Sequence, residues 1–599
     1  MAALGTGVGA LFTWDYYFGA RTLSRNTRTV YNGILIVLDY KLNYDTNDID
    51  KMNGVHERSA QRLLHVCRKN GGLYVKAGQA IGIQVAILPK PYHVLAQMFD
   101  GAEPIPLDAV RNVIREELGM WPEEIFAEFD PNPIGSASIA QVHRARLHTG
   151  ETVAVKVQRP DIRRHASWDL LAFRLLMQIY ERVFEIPFTF ASQYISDQIE
   201  LETHFDHERL NTERIRNHVL NDAPKHLKGG VAYVPAVYPS LSSPRLLVME
   251  YIDGAVKMTD VEGLENRLGL NVNEVMNSVC EVFAAQVFRW GFVNADPHPS
   301  NVLIRRHPQN PSTHQVVLID HGLSIPLAPA FREQYLRLWQ YLFANDVEGI
   351  KDICKGWGVN LGSDAMGAQM LGSAVLLQGW SGRGRRPGRH GAQGHDSSQS
   401  LAANDAESTA TSKEEKKKKD LETQRAMKAT VKRFLENYEM IPKELIFLGR
   451  SMRIIQANNQ ALGAPVDRIS ILAKGACDSL YDLRMHPPAT LKSSPNHGSP
   501  LDKRRVSPPT SWIRRFISAN VDWFKFRLAI AGMDVAFGKR GLFWGLLWLK
   551  ETWQTLSGAL KISTAHSIEQ EEKEDPVQEQ IMAMGQEFGV EIDEKLLRG

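Results

Sequence analysis

The sequence predicts an α+β fold in two lobes, with a helical extension before them and an aromatic-rich helical tail after them. Three observations carry this expectation. Residues 126–158 alternate like paired strands around a turn at Thr149-Gly150 and end in Val153-Ala154-Val155-Lys156 and two further residues. A helical region from Val272 to Trp290 leads into Asn294-Ala295-Asp296-Pro297-His298-Pro299-Ser300-Asn301. The apolar run Val316-Val317-Leu318-Ile319 then delivers Asp320-His321-Gly322. A strand lysine, a loop aspartate with an asparagine five residues on, and an aspartate before a glycine stand in the order that phosphoryl-transfer chemistry uses.

At 599 residues the chain exceeds what one core usually supports, so two lobes plus extensions are the natural division. Lysine and arginine (70) nearly balance aspartate and glutamate (68), so no global field favours nucleic acid and no such partner is expected. Affinity for a membrane or another anion must be local. Cys67, Cys280, Cys354 and Cys477 lie far apart without a C-x-x-C pair, which argues for reduced structural thiols rather than a zinc site or disulfide framework.

The elements follow in order. In residues 1–49 an apolar, glycine-rich run from Ala2 to Trp14 stops at Asp15, short of the ~20 residues a spanning helix needs. Arg21, Arg25 and Arg28 follow among Ser and Thr with no acid before Asp39, the pattern of a targeting segment or of a solvated helix. Residues 50–120 read as a helical extension: Ser59 to Ile83 with an interruption at Gly71-Gly72, then a helix after Pro106 with Asp108 as N-cap. The small lobe, 121–252, holds the three strands, a helical region from Ser192 to about Asn217 and β character again from Val231 to Glu250. Met249 to Gly254 connects it to the large lobe, 253–485, which is interrupted by an insertion at 381–420 too poor in apolar residues to fold. A Pro/Ser linker, 486–510, leads to the tail, 511–599. Its Trp512, Trp523, Phe524, Phe526, Phe543, Trp544 and Trp548 stand among basic residues, and its apolar run Gly541 to Leu549 is too short to cross a bilayer, so the tail suits either a membrane interface or packing on the lobe.

The chemistry sits on these elements. Lys156 can reach α- and β-phosphates if a carboxylate holds it in place. The small-residue loop Gly135-Ser136-Ala137-Ser138, between the first two strands, lets backbone approach phosphate, and its alanine makes it stiffer than a glycine loop. Glu250, at the lobe connector, joins this nucleotide-binding set. Asp296 is placed to orient or deprotonate an acceptor hydroxyl, and Asn301 and Asp320 offer the hard oxygens that suit Mg²⁺ or Mn²⁺. Lys76 and Gln79, three apart, share a helix face. Glu202 and Glu208 would point to different sides of a continuous helix, about 240° apart.

Together Pro133 to His143, Lys76-Ala77-Gly78-Gln79 and Asp296 to Asn301 resemble the UbiB family of atypical kinases, over roughly residues 50–350. Asp320-His321-Gly322, where most kinases have Asp-Phe-Gly, is similar to the family's mitochondrial branch. The resemblance implies a protein-kinase-like fold whose N-terminal extension covers the active site. It also implies ATP or ADP bound with a divalent metal, a lipid or membrane surface as partner, and a role in coenzyme Q or lipid homeostasis at the mitochondrial inner membrane. Register against the family's E-x-D pattern makes Glu202 the glutamate that positions Lys156 and puts His204 where aspartate is usual. Glu208 then belongs with Lys76 and Gln79 in a regulatory helix region. Asn294 stands for the usual histidine and Ser300 for the usual glycine. The function implied is an atypical kinase or ATPase. The alternative is a pseudokinase or lipid-binding scaffold in which nucleotide is a conformational ligand.

Overall fold

A computed structural model of the chain describes residues 13–15, 21–45, 48–82, 91–92, 94–95, 103–184, 188–359, 372, 442–486 and 512–537. It opens with α1 (Thr22–Asn43), whose N-terminus is capped from outside: the buried Asp15 carboxylate accepts from the amides of Leu23 and Ser24, each at 2.9 Å. The acid that ends the apolar run is therefore a helix cap. α1 packs along α2 (Ile49–Asn70), where Asp39 accepts from Arg58 at 2.6 and 2.8 Å and from Arg62 at 2.7 Å. Gly71 and Gly72 turn the chain at φ 64° and 53°, a region glycine enters without steric cost, into α3 (Leu73–Gly82). Arg25 is buried against Asp169 and the Asn70 carbonyl, and Arg28 donates to the Asn70 side chain. Arg25 and Arg28 of the N-terminal segment thus have structural partners. α4 (Leu107–Leu118) is capped at Pro106, so Asp108 lies in the first turn rather than at the cap, where its charge still complements the helix dipole.

β1 (Phe126–Ser136), β2 (Ala140–Leu147) and β3 (Thr152–Gln158) form the expected antiparallel meander. A helix the sequence reading did not anticipate, α5 (Ile162–Phe184), comes next and lies beside α1. The helical region expected from Ser192 is two helices, α6 (Phe188–Leu201) and α7 (Phe205–Asn221). The break at Glu202-Thr203-His204 is fixed by tertiary bonds: Gln158 donates to the Thr203 carbonyl at 2.6 Å, and the Phe205 amide donates to the Pro244 carbonyl at 3.0 Å. β4 (Ala232–Tyr233) leaves for the large lobe, and β5 (Leu246–Glu250) pairs with β3. Strand alternation sorts the core into two layers. Leu246 and Val248 join Val153, Val155 and the α4 residues Val110, Val113 and Ile114 on one face. Leu247 and Met249 join Leu73, Ile162, Leu170 and Phe205 on the other.

In the large lobe β6 (Val256–Lys257) precedes α8 (Val272–Ala284), which the Asn271 side chain caps. A π-helical turn continues α8 to Trp290, and Gly291 ends it at φ 59°. There follow β7 (Phe292–Asn294), β8 (Val302–Arg306), β9 (His314–Leu318) and β10 (Ser324–Pro326). One sheet runs β4-β9-β8-β6, and β7 pairs with β10. These pairings place the Asp296 loop between β7 and β8 and Asp320 just beyond β9. Helices α9 (Pro329–Phe343), α10 (Val347–Gly356), α11 (Glu444–Ala461), α12 (Arg468–Met485) and α13 (Trp512–Phe537) complete the described chain. The four cysteines are buried thiols outside any disulfide.

The chain divides into two compact units, and residues 1–342, 346–479 and 494–506 form the first. Within the second, α13 sets Trp523 edge-on to Tyr481 at 6.4 Å and Phe526 beside Phe343 at 5.8 Å, with Arg484 paired to Asp522. Phe543, Trp544 and Trp548, the 381–420 insertion and the linker from residue 487 lie outside the described residues. No helix among the described residues is long and apolar enough to cross a membrane.

Candidate active site

Lys156 sits mid-strand on β3 between Val155 and Val157, which are buried on the opposite face, so its ammonium emerges over Phe205, 5.2 Å from the ring centroid. There it donates to both oxygens of Glu208, at 2.6 and 2.8 Å, and to Asp320 at 3.2 Å. Burial disfavours the charged amine, but Asp320 and Glu208 outweigh it and hold Lys156 above the usual lysine range. Burial pushes the Glu208 carboxyl up to about 7 against the pull of Lys156. For Asp320 burial also opposes the charge, yet Lys156 and Lys76 hold it well below the usual carboxylate range.

The expected partner of Lys156 is corrected here. Glu202 pairs with Lys76, at 3.6 Å, and Glu208 with Lys156. The reason is the break between α6 and α7: Glu202 lies in the break, ahead of the helix, while Glu208 lies within α7, beyond Phe205. Without the break the two carboxylates would diverge; with it both face the same charged cluster. His204 serves as the N-cap residue of α7 without a side-chain cap bond.

Lys76 reaches from α3 to a second carboxylate, Asp296, at 3.5 Å. The other oxygen of Asp296 meets Arg450 of α11 at 3.1 Å. Although burial works against ionisation, Arg450 and Lys76 hold Asp296 below the usual carboxylate range. The Asp296 loop is fixed by amides. Asn294 accepts from the Asp296 amide at 2.8 Å and donates to the Asp320 carbonyl at 2.7 Å, so the residue in place of the usual histidine ties the two aspartate segments together. Asn301 donates to the Asp296 carbonyl at 3.1 Å, and Asn458 to the Pro297 carbonyl at 2.9 Å. Asn211 of α7 donates to the His321 carbonyl at 3.0 Å. Arg450, Asn458 and Asn211 carry no motif signal; each is one polar residue among others on its helix. Gln79 lies on α3, but its side chain is outside the described residues.

Gly135 and Ser136 end β1, and Ala137 and Ser138 follow without a positive φ. What braces this turn is Arg159, which donates to the Ala137 carbonyl and to the Ser136 hydroxyl, each at 3.0 Å. The Glu250 carboxylate accepts from the Tyr233 hydroxyl at 2.6 Å and the Ala236 amide at 3.2 Å, so its side chain braces the lobe connector. The candidate donors for a divalent metal are the Asp320 carboxylate and the Asn301 amide oxygen, both hard. Among the described residues no group of three or more His, Cys, Asp or Glu could hold a metal alone. Donors of this hard type suit Mg²⁺, which keeps waters and phosphates in its shell, and the Lys156 ammonium supplies positive charge at Asp320.

A lysine braced by a helix glutamate, opposite two aspartates on neighbouring loops, defines a kinase-like protein. A family model described as the ABC1 atypical kinase-like domain matches residues 97–354. An ABC1 family protein of Schizosaccharomyces pombe is 34% identical over 80% of this chain and 82% of its own length. The AarF domain-containing protein kinase 1 of Xenopus laevis is 35% identical over 57% of this chain and 61% of its own length. Among solved structures, an Rv3197–erythromycin complex from Mycobacterium tuberculosis aligns at 22% identity over 55% of this chain and 81% of that chain, with a TM-score of 0.37. The chain belongs to the ABC1 family, the UbiB family of atypical kinase-like proteins.

Proposed function

We propose that the protein binds ATP or ADP with Mg²⁺ or Mn²⁺ and works as an atypical kinase or ATPase in lipid or coenzyme Q homeostasis at the mitochondrial inner membrane. The observation that carries the nucleotide reading is Lys156 held by Glu208 beside Asp320, and what sets the site apart from a protein kinase's is the double engagement of Asp296 by Lys76 and Arg450. A carboxylate so neutralised is a poor base toward a protein hydroxyl, and Lys76 fills the space beside it. Lys156, braced by Glu208, would be the phosphate ligand, and the Ser136–Ser138 turn, on the same sheet, would restrict access to it. Asn301 and Asp320 would hold the metal, which supplies charge neutralisation for phosphate oxygens. The lipid and mitochondrial part of the reading rests on the family resemblance.

The second reading, nucleotide as a conformational ligand of a scaffold, draws on the same capped Asp296. Nucleotide affinity and turnover, measured on purified protein with and without Mg²⁺ and liposomes, separate the two. Asp320→Asn is expected to lose metal-dependent binding with the fold retained. Equal metal-dependent affinity in variant and wild type refutes the site. Binding without turnover under every condition selects the scaffold.

A further inference from the structure

We infer that Gln141 and His143 are positioning residues that hold the phosphate-covering turn through a directional hydrogen-bond chain, and that a proton on His143 releases it. The inference rests on the reading of Gly135 to Ser138 as the turn over the nucleotide. Between α3 and α4 the chain passes Glu103-Pro104-Ile105-Pro106, a strap against the small lobe. Its Glu103 carbonyl accepts from the Ser136 hydroxyl at 3.5 Å and from Arg159, the same arginine that braces Ala137 and Ser136. Strap and turn thus share one hub, so what fixes the strap also fixes the turn. Two residues on, Gln141 holds Ile105 by both backbone atoms: the Ile105 amide donates to Oε1 at 2.8 Å, and Nε2 donates to the Ile105 carbonyl at 3.5 Å.

Beyond Gln141 the chain runs one way. The register shift between Phe129 and Pro133 leaves the Asp130 carbonyl to His143; a carbonyl can only accept, so His143 Nδ1, at 2.8 Å, carries the hydrogen. His143 Nε2 then accepts from Gln141 Nε2, also at 2.8 Å, and this orients the Gln141 amide with its oxygen toward the Ile105 N–H. A second proton on the ring would set donor against donor at Gln141. Turning the amide over satisfies the ring, but it sets NH₂ against the Ile105 N–H and oxygen against the Ile105 carbonyl, so the strap is released at both atoms. Gln141 and His143 are 1% and 0% exposed, so water does not mend the break. Around the ring, Phe129 stacks at 5.0 Å, Val155 lies across on β3, and α4 turns Val110 and Val113 to the same layer. The charged side chains of the flanking elements go elsewhere: Arg144 to Tyr251, Arg146 to Glu128, Arg111 and Arg115 to Trp121, Glu116 and Glu117 to Arg245, and Glu103 to Arg159, while Asp108 is exposed. Asp130 favours the proton, and burial outweighs it, holding the imidazole below its ordinary range.

Because the closed form holds a neutral ring, acidification below the ordinary histidine value of 6.5 favours the open, protonated form. The test is hydrogen exchange read by mass spectrometry on the full chain without nucleotide, at about pH 7.5 and about pH 5.5, corrected for the intrinsic rate. Ile105 carries the one amide hydrogen of Pro104 to Pro106, so a peptide through the strap reads it directly. Its protection in wild type should fall about fivefold or more on acidification. Gln141→Glu offers a carboxylate that accepts from both the Ile105 N–H and the imidazolium, so the dependence should reverse, with Ile105 better protected at the acid end. Release of a fluorescent ADP analogue from wild type should quicken over the range in which Ile105 opens. Protection of wild-type Ile105 that stays unchanged across this range overturns the proposal, and so does a Gln141→Glu variant that follows the wild-type dependence. Release that stays constant while Ile105 opens overturns the link to the turn. The exchange arm contains no nucleotide and decides the role of His143 whether or not the site takes ADP.

Discussion

Glu208 and Glu202 are the residues whose roles the structure exchanges, and a paired substitution separates them. Glu208→Gln removes the nearer carboxylate from Lys156, so ADP affinity should fall about tenfold, or ~1.4 kcal/mol, by isothermal titration. Glu202→Gln leaves Lys156 braced and loosens Lys76 instead. Its ADP affinity should stay within about twofold of wild type, while labelling from radioactive ATP rises because Asp296 loses part of its cover. Arg450→Met tests the other side of Asp296. If this carboxylate is a base held in check, freeing one oxygen should raise basal turnover; an unchanged rate would give Arg450 a purely structural part. Arg450 was not legible in sequence. One of two arginines on a helix beyond a long insertion belongs to no motif spacing, and only the packing of α11 beside the Asp296 loop gives it meaning. Asp296, Asn301, Asp320 and Lys156 were legible because strand alternation and fixed loop spacing place them.

At the scale of elements, the joint between α1 and α5 contains a buried ion pair, Arg25 with Asp169, in which the two side chains are 8% and 2% exposed. Removing one member strands the other, so Arg25→Ala should cost ~3–5 kcal/mol in chemical denaturation, and the double change to leucines should recover much of that loss. Helix α5 escaped the sequence reading because apolar residues stand both on its buried side, at Leu170 and Leu176, and on its outer side, at Trp168, Leu171 and Leu175, which blurs the helical stripe. The break between α6 and α7 escaped for a different reason. No glycine or proline marks it; Gln158 and Pro244, distant in sequence, impose it by hydrogen bonds. The Gly71-Gly72 interruption, by contrast, is local and was read where it occurs.

For the whole molecule, acid stability gathers the same charges. Hydrogen bonds from Arg58 and Arg62 outweigh burial and hold Asp39 well below the usual carboxylate range, and Asp296 and Asp320 are held down as well. A depressed carboxylate stabilises the fold above its ordinary value of 3.8 and loses that contribution as pH falls below it. Melting temperatures should therefore drop steeply below about pH 4. Asp39→Asn should melt lower than wild type at neutral pH, and the two curves should converge on acidification. The nucleotide site adds a constraint of another kind. Four carboxylates, Glu202, Glu208, Asp296 and Asp320, interlock with three cations, Lys76, Lys156 and Arg450. Such a site behaves as an ion exchanger: a polyphosphate can take a lysine only by displacing a carboxylate, and the carboxylate set free calls for a counter-cation to arrive with it. Loading is thus a swap of salts in which nucleotide and metal enter as one neutralised unit.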